Sequence, residues 1–519
     1  MKLRYIAAPL AAALLTTGCS LQPIFSRPAA PVAATFPNGE AYKYPATGEG
    51  GTMLPATEIG WRDFIPDQRL QRIIEIALSN NRDLRVAALN VMQVQAQYRI
   101  QRAQLYPQVN AFASSSSQRT PADLSRSGRA ATTHAYQVGL SVSWTLDVFG
   151  KLGSLRDQAL QQYFATAYAR QATEILLVSQ VVDQYLTLLA NDELIGVTLD
   201  TLKTAQDSYG IVKQQYDVGT TTELALRQSE GVVEQAQANY TAFVRSRAQA
   251  ENALVLLVGQ PLPADLPPTT TLDNQNLLTD IPPGLPSDLL TRRPDIQQAE
   301  AQLRAANANI GAARAAFFPD ISLTGSVGTA SASLSGLFGG GSLAWSFLPQ
   351  LVLPIFNAGA NEANLDASKL QKDINIATYE KAIQTAFREV ADGLAARGTF
   401  DDQVASLERF VESQRRALEL SLMRYKTGVD TYLSVLTAQT NYYAARQILV
   451  SARLNRLTGL VDLYRALGGG WIQRTGDEPR PAEVAAPPAW SPTFSEGRKD
   501  AEPAKSCAWW SFGCRLGPR

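Results

Sequence analysis

The 519-residue chain has little charge and a single histidine. Charged residues make up 18% of the sequence, below the usual share of about 25%. The 47 basic residues balance 47 acidic ones, so no basic surface is indicated and a nucleic-acid partner is not expected. No P-loop, HExxH or GxSxG motif occurs, and His134 has no nucleophile or metal-ligand set around it in the sequence. We therefore expect neither an enzyme nor a resident cofactor.

Long apolar runs are also missing. After the first residues, no stretch reaches the 18 or so apolar residues that a membrane-spanning helix requires. The short apolar run at residues 6–15 follows Lys2 and Arg4, which predicts a signal peptide over residues 1–18. If this chain crosses a bilayer, strands must do so.

Only three cysteines are present. Leu15-Thr16-Thr17-Gly18-Cys19 resembles a bacterial lipoprotein cleavage box, which predicts N-acyl and S-diacylglycerol groups on Cys19; an ordinary signal peptide with a spare thiol is the alternative. Ser20 follows Cys19, whereas an aspartate at that place retains lipoproteins in the inner membrane. The serine therefore favours the outer membrane. Cys507 and Cys514 form an even pair, which is compatible with a disulfide or with two free thiols in a C-terminal tail.

The chain contains an internal duplication. Arg102-Ala103-Gln104-Leu105-Tyr106-Pro107 is echoed 212 residues later by Arg314-Ala315-Ala316-Phe317-Phe318-Pro319. The segment 144–150 is echoed by 351–357, and 216–220 by 425–429, at offsets of 207 and 209. Solenoid repeats have much shorter periods, so we infer two copies of one large unit. Each unit is predicted to contain a helix, two strands, a very long helix, a tight turn and a returning helix.

Alternating apolar and polar residues predict the strands. The pattern is nearly perfect over 136–148, recurs over 321–328 and 343–347, and is weaker over 109–118. We expect hairpins at about 109–146 and 321–355, each standing alone between long helices, with Trp144 and Trp345 at membrane interfaces. A soluble sandwich is the alternative. Four strands cannot close a membrane barrel, so copies would have to share one, with eight strands from two copies or twelve from three.

The predicted helices are unusually long. Helical spacing over about 152–215 and 360–425 gives rods of roughly 100 Å at 1.5 Å per residue. Returning helices are expected over about 222–257 and 431–467, after turns in which Gly219 and Gly428 suit a helix C-terminus. A soluble antiparallel coiled coil is the alternative, but it does not account for the strands.

Several motifs resemble one known family, the TolC-like outer-membrane channels of tripartite efflux pumps, and most closely its OprM/NodT-type lipoproteins. They are Gly60-Trp61-Arg62-Asp63-Phe64, Asn80-Asn81-Arg82-Asp83-Leu84, Arg292-Arg293-Pro294-Asp295-Ile296 and Ala466-Leu467-Gly468-Gly469-Gly470-Trp471. The resemblance implies a mainly α fold with a transmembrane β-barrel. In such a homotrimer, four strands per protomer form a twelve-stranded barrel and the helical hairpins form a periplasmic α-barrel.

The resemblance also implies a domain plan. Over about residues 19–473 it comprises a lipidated N-terminal segment (19–62), repeat 1 (63–258), an equatorial connector (259–293) and repeat 2 (294–473). The C-terminal tail (474–519) lies outside the resemblance, and its linker-like composition leads us to expect that it is flexible.

The same resemblance implies the partners and the location. These are a periplasmic adaptor, an inner-membrane RND pump, the lipid of the outer membrane and small-molecule drugs in transit. The channel itself is passive. A type I protein secretion channel is the main alternative, and a periplasmic structural coiled coil is a weaker one.

The family's functional positions can be carried over by motif. Leu433 matches the apolar ring of the periplasmic gate, whereas Thr437 stands where the family has an acidic ring residue, and Ala225 stands at the related position of repeat 1. Asp430 and Glu223 lie close enough to replace the missing charge. The residues expected at the adaptor-docking tips are Val218, Gly219, Thr220, Thr427, Gly428 and Val429.

Overall fold

The computed structural model describes residues 20–43, 54–125, 128–279, 281 and 286–477, with the backbone alone at 286–288. Cys19, Cys507 and Cys514 lie outside the described residues. No helix in the described part of the chain is both long enough and apolar enough to span a membrane. The elements in chain order are α1 (Trp61–Phe64), α2 (Gln68–Asn80), α3 (Arg82–Ala103), β1 (Gln108–Thr120), β2 (Ala131–Leu146), α4 (Lys151–Asp217), α5 (Glu223–Val258), α6 (Pro286–Arg292), α7 (Pro294–Ala315), β3 (Asp320–Ser331), β4 (Leu343–Val352), α8 (Ala360–Lys426) and α9 (Tyr432–Ala466).

The two halves of the chain have matching elements. The helices α3 and α7 are both 22 residues long, and the rods α4 and α8 are both 67 residues long. Each rod therefore extends roughly 100 Å. The rods and the returning helices α5 and α9 begin and end within two residues of the bounds predicted from the sequence, which confirms the duplication.

Glycine and the absence of proline set the length of the rods. Gly150 and Gly359 precede α4 and α8 with φ of 69° and 83°, a left-handed conformation that other residues adopt at a cost. The carboxylate of Asp147 then accepts hydrogen bonds from the backbone N–H groups of Leu152 (2.9 Å) and Gly153 (2.6 Å), which satisfies donors that every helix start leaves open. Neither rod contains a proline to interrupt it.

The four strands form one antiparallel sheet in the order β1-β2-β3-β4. The expectation that each hairpin stands alone is wrong, because β2 pairs with β3 and joins the two repeats, with Trp144 opposite Leu323. The outer edges of β1 and β4 have no partner strand among the described residues. β2 ends at Leu146, the predicted end of the first hairpin, whereas β4 ends at Val352, three residues short of the predicted bound and two before Pro354.

One face of this sheet is apolar and bare. The register aligns Leu140, Val327 and Trp345 across three neighbouring strands, and Trp345 is 75% exposed. Small polar residues such as Ser141, Ser326 and Ser346 line the opposite face. The alternation predicted from the sequence is therefore confirmed, and its apolar side faces away from any protein core in the protomer.

The main hydrophobic core lies near the middle of the rods. In this core, α2, the central part of α4, the half of α8 nearer the sheet and the end of α9 pack around the buried Tyr185 and Tyr464. Tyr464 stacks on Phe64 with ring centroids 4.1 Å apart and donates to the carbonyl of Ile59 at 2.6 Å. Arg293 adds a polar link, since its guanidinium binds the carbonyl of Ala466 (2.8 Å) together with the carboxylates of Asp295 (2.6 Å) and Glu389 (2.8 Å).

Residues 20–43 form an extended N-terminal strap along the rods. Near the sheet end, the Gln22 side chain donates to Asp157 at 3.0 Å, and Arg27 pairs with Glu300. Further along, Phe36 stacks on Phe387 at 5.3 Å, and Lys43 pairs with Asp402. The strap thus runs from the sheet to the middle of α8.

Candidate functional site

The rod ends farthest from the sheet carry two equivalent turns, residues 218–220 and 427–429, which we call the tips. Gly219 and Gly428 adopt φ of 77° and 76°. The N–H of Thr220 donates to the carbonyl of Gln215 (2.8 Å), and the N–H of Val429 donates to that of Arg424 (2.9 Å). These bonds form a Schellman-type helix end, which requires a left-handed residue and favours glycine.

The predicted docking residues lie together at these tips. Val218 and Val429 are exposed, at 73% and 62%. The hydroxyls of Thr220 and Thr427 donate to carbonyls one turn back, at 2.9 Å to Gln215 and 3.1 Å to Met423, so they stabilise the turn. Each tip therefore presents a hydrogen-bonded turn and one exposed valine.

A small cluster holds the two tips side by side. Val212 from α4 and Leu418 from α8 pack with Tyr432, Val435 and Ala438 of α9. Tyr425 reaches from the second rod to the first, where its hydroxyl bonds Gln215 Oε1 at 2.5 Å. Burial raises the pKa of Tyr432 to about 12. The tips of both repeats thus form one packed unit.

The predicted gate residue Leu433 points away from this cluster. Its neighbours Tyr432 and Val435 are buried, whereas Leu433 is 56% exposed and Thr437 lies exposed one turn further along the same face. The Thr437 hydroxyl donates to the Leu433 carbonyl at 2.9 Å, within its own helix. Leu433 therefore has no packing role inside the protomer that would explain its position.

Sequence reasoning missed the counterpart of Leu433 in repeat 1. The offset of 209 residues relates Leu433 to Leu224, which is 67% exposed in the first turn of α5. Ala225, the position carried over from the family, is partly covered and packs against the tip cluster. The offset itself was the available signal for Leu224.

The two acidic residues near the tips are paired with arginines of their own chain. Asp430 binds Arg424 through two contacts, Nε–Oδ2 at 2.5 Å and Nη2–Oδ1 at 3.3 Å. The hydrogen bond from Arg424 lowers the pKa of Asp430. Glu223 lies 3.5 Å from Arg227, which also pairs with Glu230. Neither carboxylate is therefore a bare charge.

No constellation in the described residues suggests bound metal or catalysis. No group of three or more His, Cys, Asp or Glu side chains that could hold a metal ion occurs in that part of the chain. His134 Nδ1 lies 2.8 Å from the Ser117 hydroxyl, and both residues are exposed on paired strands. The candidate functional features of the protomer are therefore its surfaces, namely the exposed apolar face of the sheet and the tips.

A bare apolar sheet at one end of two duplicated 100 Å rods defines the protomer of an outer-membrane channel. The comparisons with known proteins agree with this class. The chain belongs to the outer membrane efflux protein family, whose model matches residues 73–260 and 285–469. The predicted resemblance and fold class are thereby confirmed.

Two relatives illustrate the similarity. The toluene efflux pump outer membrane protein TtgC of Pseudomonas putida is 48% identical over 476 residues, which cover 92% of this chain and 97% of the relative. The outer membrane protein OprJ of Pseudomonas aeruginosa is 45% identical over 460 residues, covering 88% and 94%.

Solved structures show the same fold. The open state of the MtrE outer membrane channel of Neisseria gonorrhoeae is 39% identical, with a TM-score of 0.79 over 88% of this chain and 100% of that one. A membrane protein from Pseudomonas aeruginosa is 44% identical, with a TM-score of 0.80 over 87% of this chain and 100% of that one.

The Asp430–Arg424 pair leads to a test of tip stability. Replacing Asp430 with asparagine should increase amide hydrogen exchange at residues 427–430 severalfold, because Arg424 loses its charged partner. In the wild type, the pKa of Asp430 is lowered, so the ion pair is fully present above the usual carboxyl pKa of about 3.9. The pair is lost only when the pH falls through the lowered pKa. The wild-type exchange rate, once corrected for the intrinsic pH dependence of amide exchange, should therefore be unchanged from neutral pH to about pH 5.

Glu223→Gln is the matched control. Arg227 keeps Glu230 at 2.8 Å in that variant, so exchange at residues 218–220 should stay near the wild-type rate. Equal exchange in Asp430→Asn and the wild type would show that the ion pair does not hold the turn.

Proposed function

We propose that three copies of this chain form the passive outer-membrane conduit of a multidrug efflux pump. Small molecules would pass from an inner-membrane RND pump, through a periplasmic adaptor docked at the tips, to the exterior. Relatives named for toluene, solvent and antibiotic efflux support this proposal and favour it over protein secretion.

The observation that carries the proposal is the open sheet. Lipid offers no hydrogen-bond partners, so the bare outer edges of β1 and β4 need strands from other copies. Two copies would give eight strands, a barrel small enough for side chains to fill. Three copies would give twelve strands and a lumen, with the apolar face toward lipid and the serine-rich face toward water.

The helices support the same ring of copies. Inside the protomer, α7 packs between α4 and α8 and is buried along most of its length. α3, the counterpart of α7 in repeat 1, exposes apolar side chains instead. The part of α8 nearest the sheet also exposes apolar side chains, and α8 is the counterpart of α4. The exposed residues are Val86, Leu89, Met92 and Ile100 on α3, and Leu370 and Ile374 on α8. These two faces would meet where α8 of one copy packs on α3 of the next.

The course of the N-terminal strap supports a lipid anchor at Cys19. Arg314, at the sheet end of α7, donates to the Leu21 carbonyl at 3.3 Å, and the neighbouring Gln22 side chain binds Asp157 in the second turn of α4. Ser20, which follows Cys19, therefore lies at the level where the rods meet the sheet. We expect palmitate label in the wild type and its loss in Cys19→Ser, with outer-membrane fractionation of labelled cells as the measurement. Unlabelled wild-type protein would contradict the anchor.

Drug susceptibility tests the conduit. A deletion strain should become more susceptible to apolar drugs, and the wild-type gene should restore resistance. Gly428→Val should fail to restore it although trimers assemble, because a β-branched residue at φ 76° costs about 1–2 kcal/mol and distorts the tip. The measurement is the inhibitory concentration, paired with native gels of membrane extracts.

Gly231→Val is the control for this variant. Gly231 lies within helix α5, and a Cβ there meets nothing within 4 Å apart from the backbone of its own helix, so this change should leave resistance intact. Full resistance with Gly428→Val would refute docking at the tips. Unchanged susceptibility in the deletion strain would refute drug efflux as the function.

The exposed pair Leu224 and Leu433 predicts an apolar constriction near the tips. Three copies would contribute six leucines there, and apolar constrictions oppose the passage of water and ions. The double variant Leu224→Ser/Leu433→Ser should therefore raise single-channel conductance in planar bilayers severalfold.

Ile448→Ser is the matched control for the constriction. Ile448 is about as exposed as Leu433 on α9, but it lies four helical turns further from the tip. Its replacement should therefore leave conductance near that of the wild type. If the double variant conducts like the wild type, these leucines do not form the constriction.

A further inference from the structure

The hairpin of β1 and β2 extends past the rest of the sheet at the end farthest from the rods. β2 begins at Ala131, but its pairing with β3 begins only at Tyr136. Residues 131–135 pair with β1 alone, up to Thr120 opposite Ala131. At about 3.3 Å per residue, this part of the hairpin projects beyond β3 by roughly 16 Å.

The side chains on the apolar face of β2 change in character toward this projecting part. Successive residues on that face are Trp144, Val142, Leu140, Val138 and Tyr136. Trp144 and Tyr136 are about 26 Å apart along the strand, or roughly 20 Å along a membrane normal at a strand tilt of about 40°. Membrane barrels have an apolar band about 25 Å tall between two aromatic girdles. The next residues on this face therefore lie at the level of lipid headgroups.

Two nitrogen-bearing side chains occupy that level. His134 lies opposite Ser117, and Arg119 follows Ser117 by two residues, so all three share the apolar face of the sheet. The Ser117 hydroxyl and His134 Nδ1 are 2.8 Å apart, which leaves the Nε2 of the ring for another partner. The Arg119 side chain is exposed and makes no hydrogen bond or ion pair within the described part of the chain.

The outer end of this hairpin is basic. Residues 117–134 contain three arginines and one acidic residue, Asp123. Asp123 forms no ion pair with any residue that the structure describes. The outer end of the second hairpin, residues 329–345, contains no charged residue at all. Positive charge is therefore not a requirement of the duplicated hairpin itself.

We propose that Arg119 and His134 bind a phosphate group of a lipid headgroup in the outer leaflet of the membrane. The inference rests on the proposed conduit, because it takes the sheet as part of a barrel wall with the rods on the periplasmic side. A guanidinium group binds phosphate through two parallel N–H donors. When the Ser117 hydroxyl donates to Nδ1, the proton of the neutral imidazole lies on Nε2, which is then a further donor.

The position of the two side chains favours a lipid over a free phosphate ion. Both lie on the same face as the apolar band and directly beyond Tyr136. A single lipid molecule can therefore place its acyl chains on the apolar band and its phosphate beside Arg119. A free anion would gain nothing from the apolar residues.

Native mass spectrometry of purified trimers in a neutral detergent tests the site. The probe is lipid A, a phosphorylated glycolipid of bacterial outer membranes, titrated against the wild type and Arg119→Gln. The variant should bind lipid A roughly tenfold more weakly, because charge-assisted hydrogen bonds to phosphate are lost. Arg119→Lys keeps the charge and should retain most of the affinity. His134→Gln should weaken binding by about threefold.

Lys213→Gln is the matched control. It removes one positive charge from an exposed position of α4 near the tips, far from the sheet, and should bind lipid A like the wild type. Lipid A from which the phosphates have been removed should bind the wild type roughly tenfold more weakly than the intact lipid.

The outcomes separate the lipid site from the conduit. Equal affinity of Arg119→Gln and the wild type would overturn the site, and so would equal affinity for lipid A with and without its phosphates. Displacement of lipid A by millimolar inorganic phosphate would show a site for free anions and overturn the lipid as its ligand. Each of these results leaves the conduit standing, whereas wild-type protein that never forms trimers would overturn both.

Discussion

A strand at the edge of a sheet presents backbone N–H and C=O groups that lipid cannot satisfy. The duplicated chain satisfies one such edge itself, where β2 pairs with β3, and leaves the edges of β1 and β4 bare among the described residues. The two 22-residue helices repeat the situation, since α7 is buried along most of its length and α3 exposes several apolar side chains. A chain built this way completes its hydrogen bonds and its packing only when copies close into a ring.

The sequence predicted the rods well because their limits are chemically simple. Proline is missing over 67 residues in each rod, and a glycine with positive φ marks both ends. The pairing of β2 with β3 was not predictable in the same way, because alternation fixes the face of a strand but says nothing about its neighbour. The strap was missed because isolated side chains in an extended segment produce no periodic pattern. Leu224 was missed although the offset of 209 residues relates it to Leu433.

The candidate site was predictable in part. Motif and turn chemistry located the tips and Leu433, but they did not show that Asp430 and Glu223 are already bound to Arg424 and Arg227. The Glu223–Arg227 pair has the i,i+4 spacing that a helix brings together, so the sequence could have indicated it. The Asp430–Arg424 pair closes across the turn and depends on geometry that residue spacing does not reveal. The tip cluster contains only five buried residues, whereas the core near the middle of the rods gathers all the major helices. Local opening at the tips is therefore far less costly than opening at mid-rod.

The N-terminal strap crosses α8 at Gly398, where even a methyl group would overlap the carbonyl of Ala41. This crossing fastens the rod at mid-height to the segment that leads back toward the sheet. From Gly398 to its end at Lys426, α8 extends roughly 40 Å beyond this crossing and packs against α9. A small tilt of α8 about this crossing would therefore displace its tip end much further than the segment that lies beside the strap.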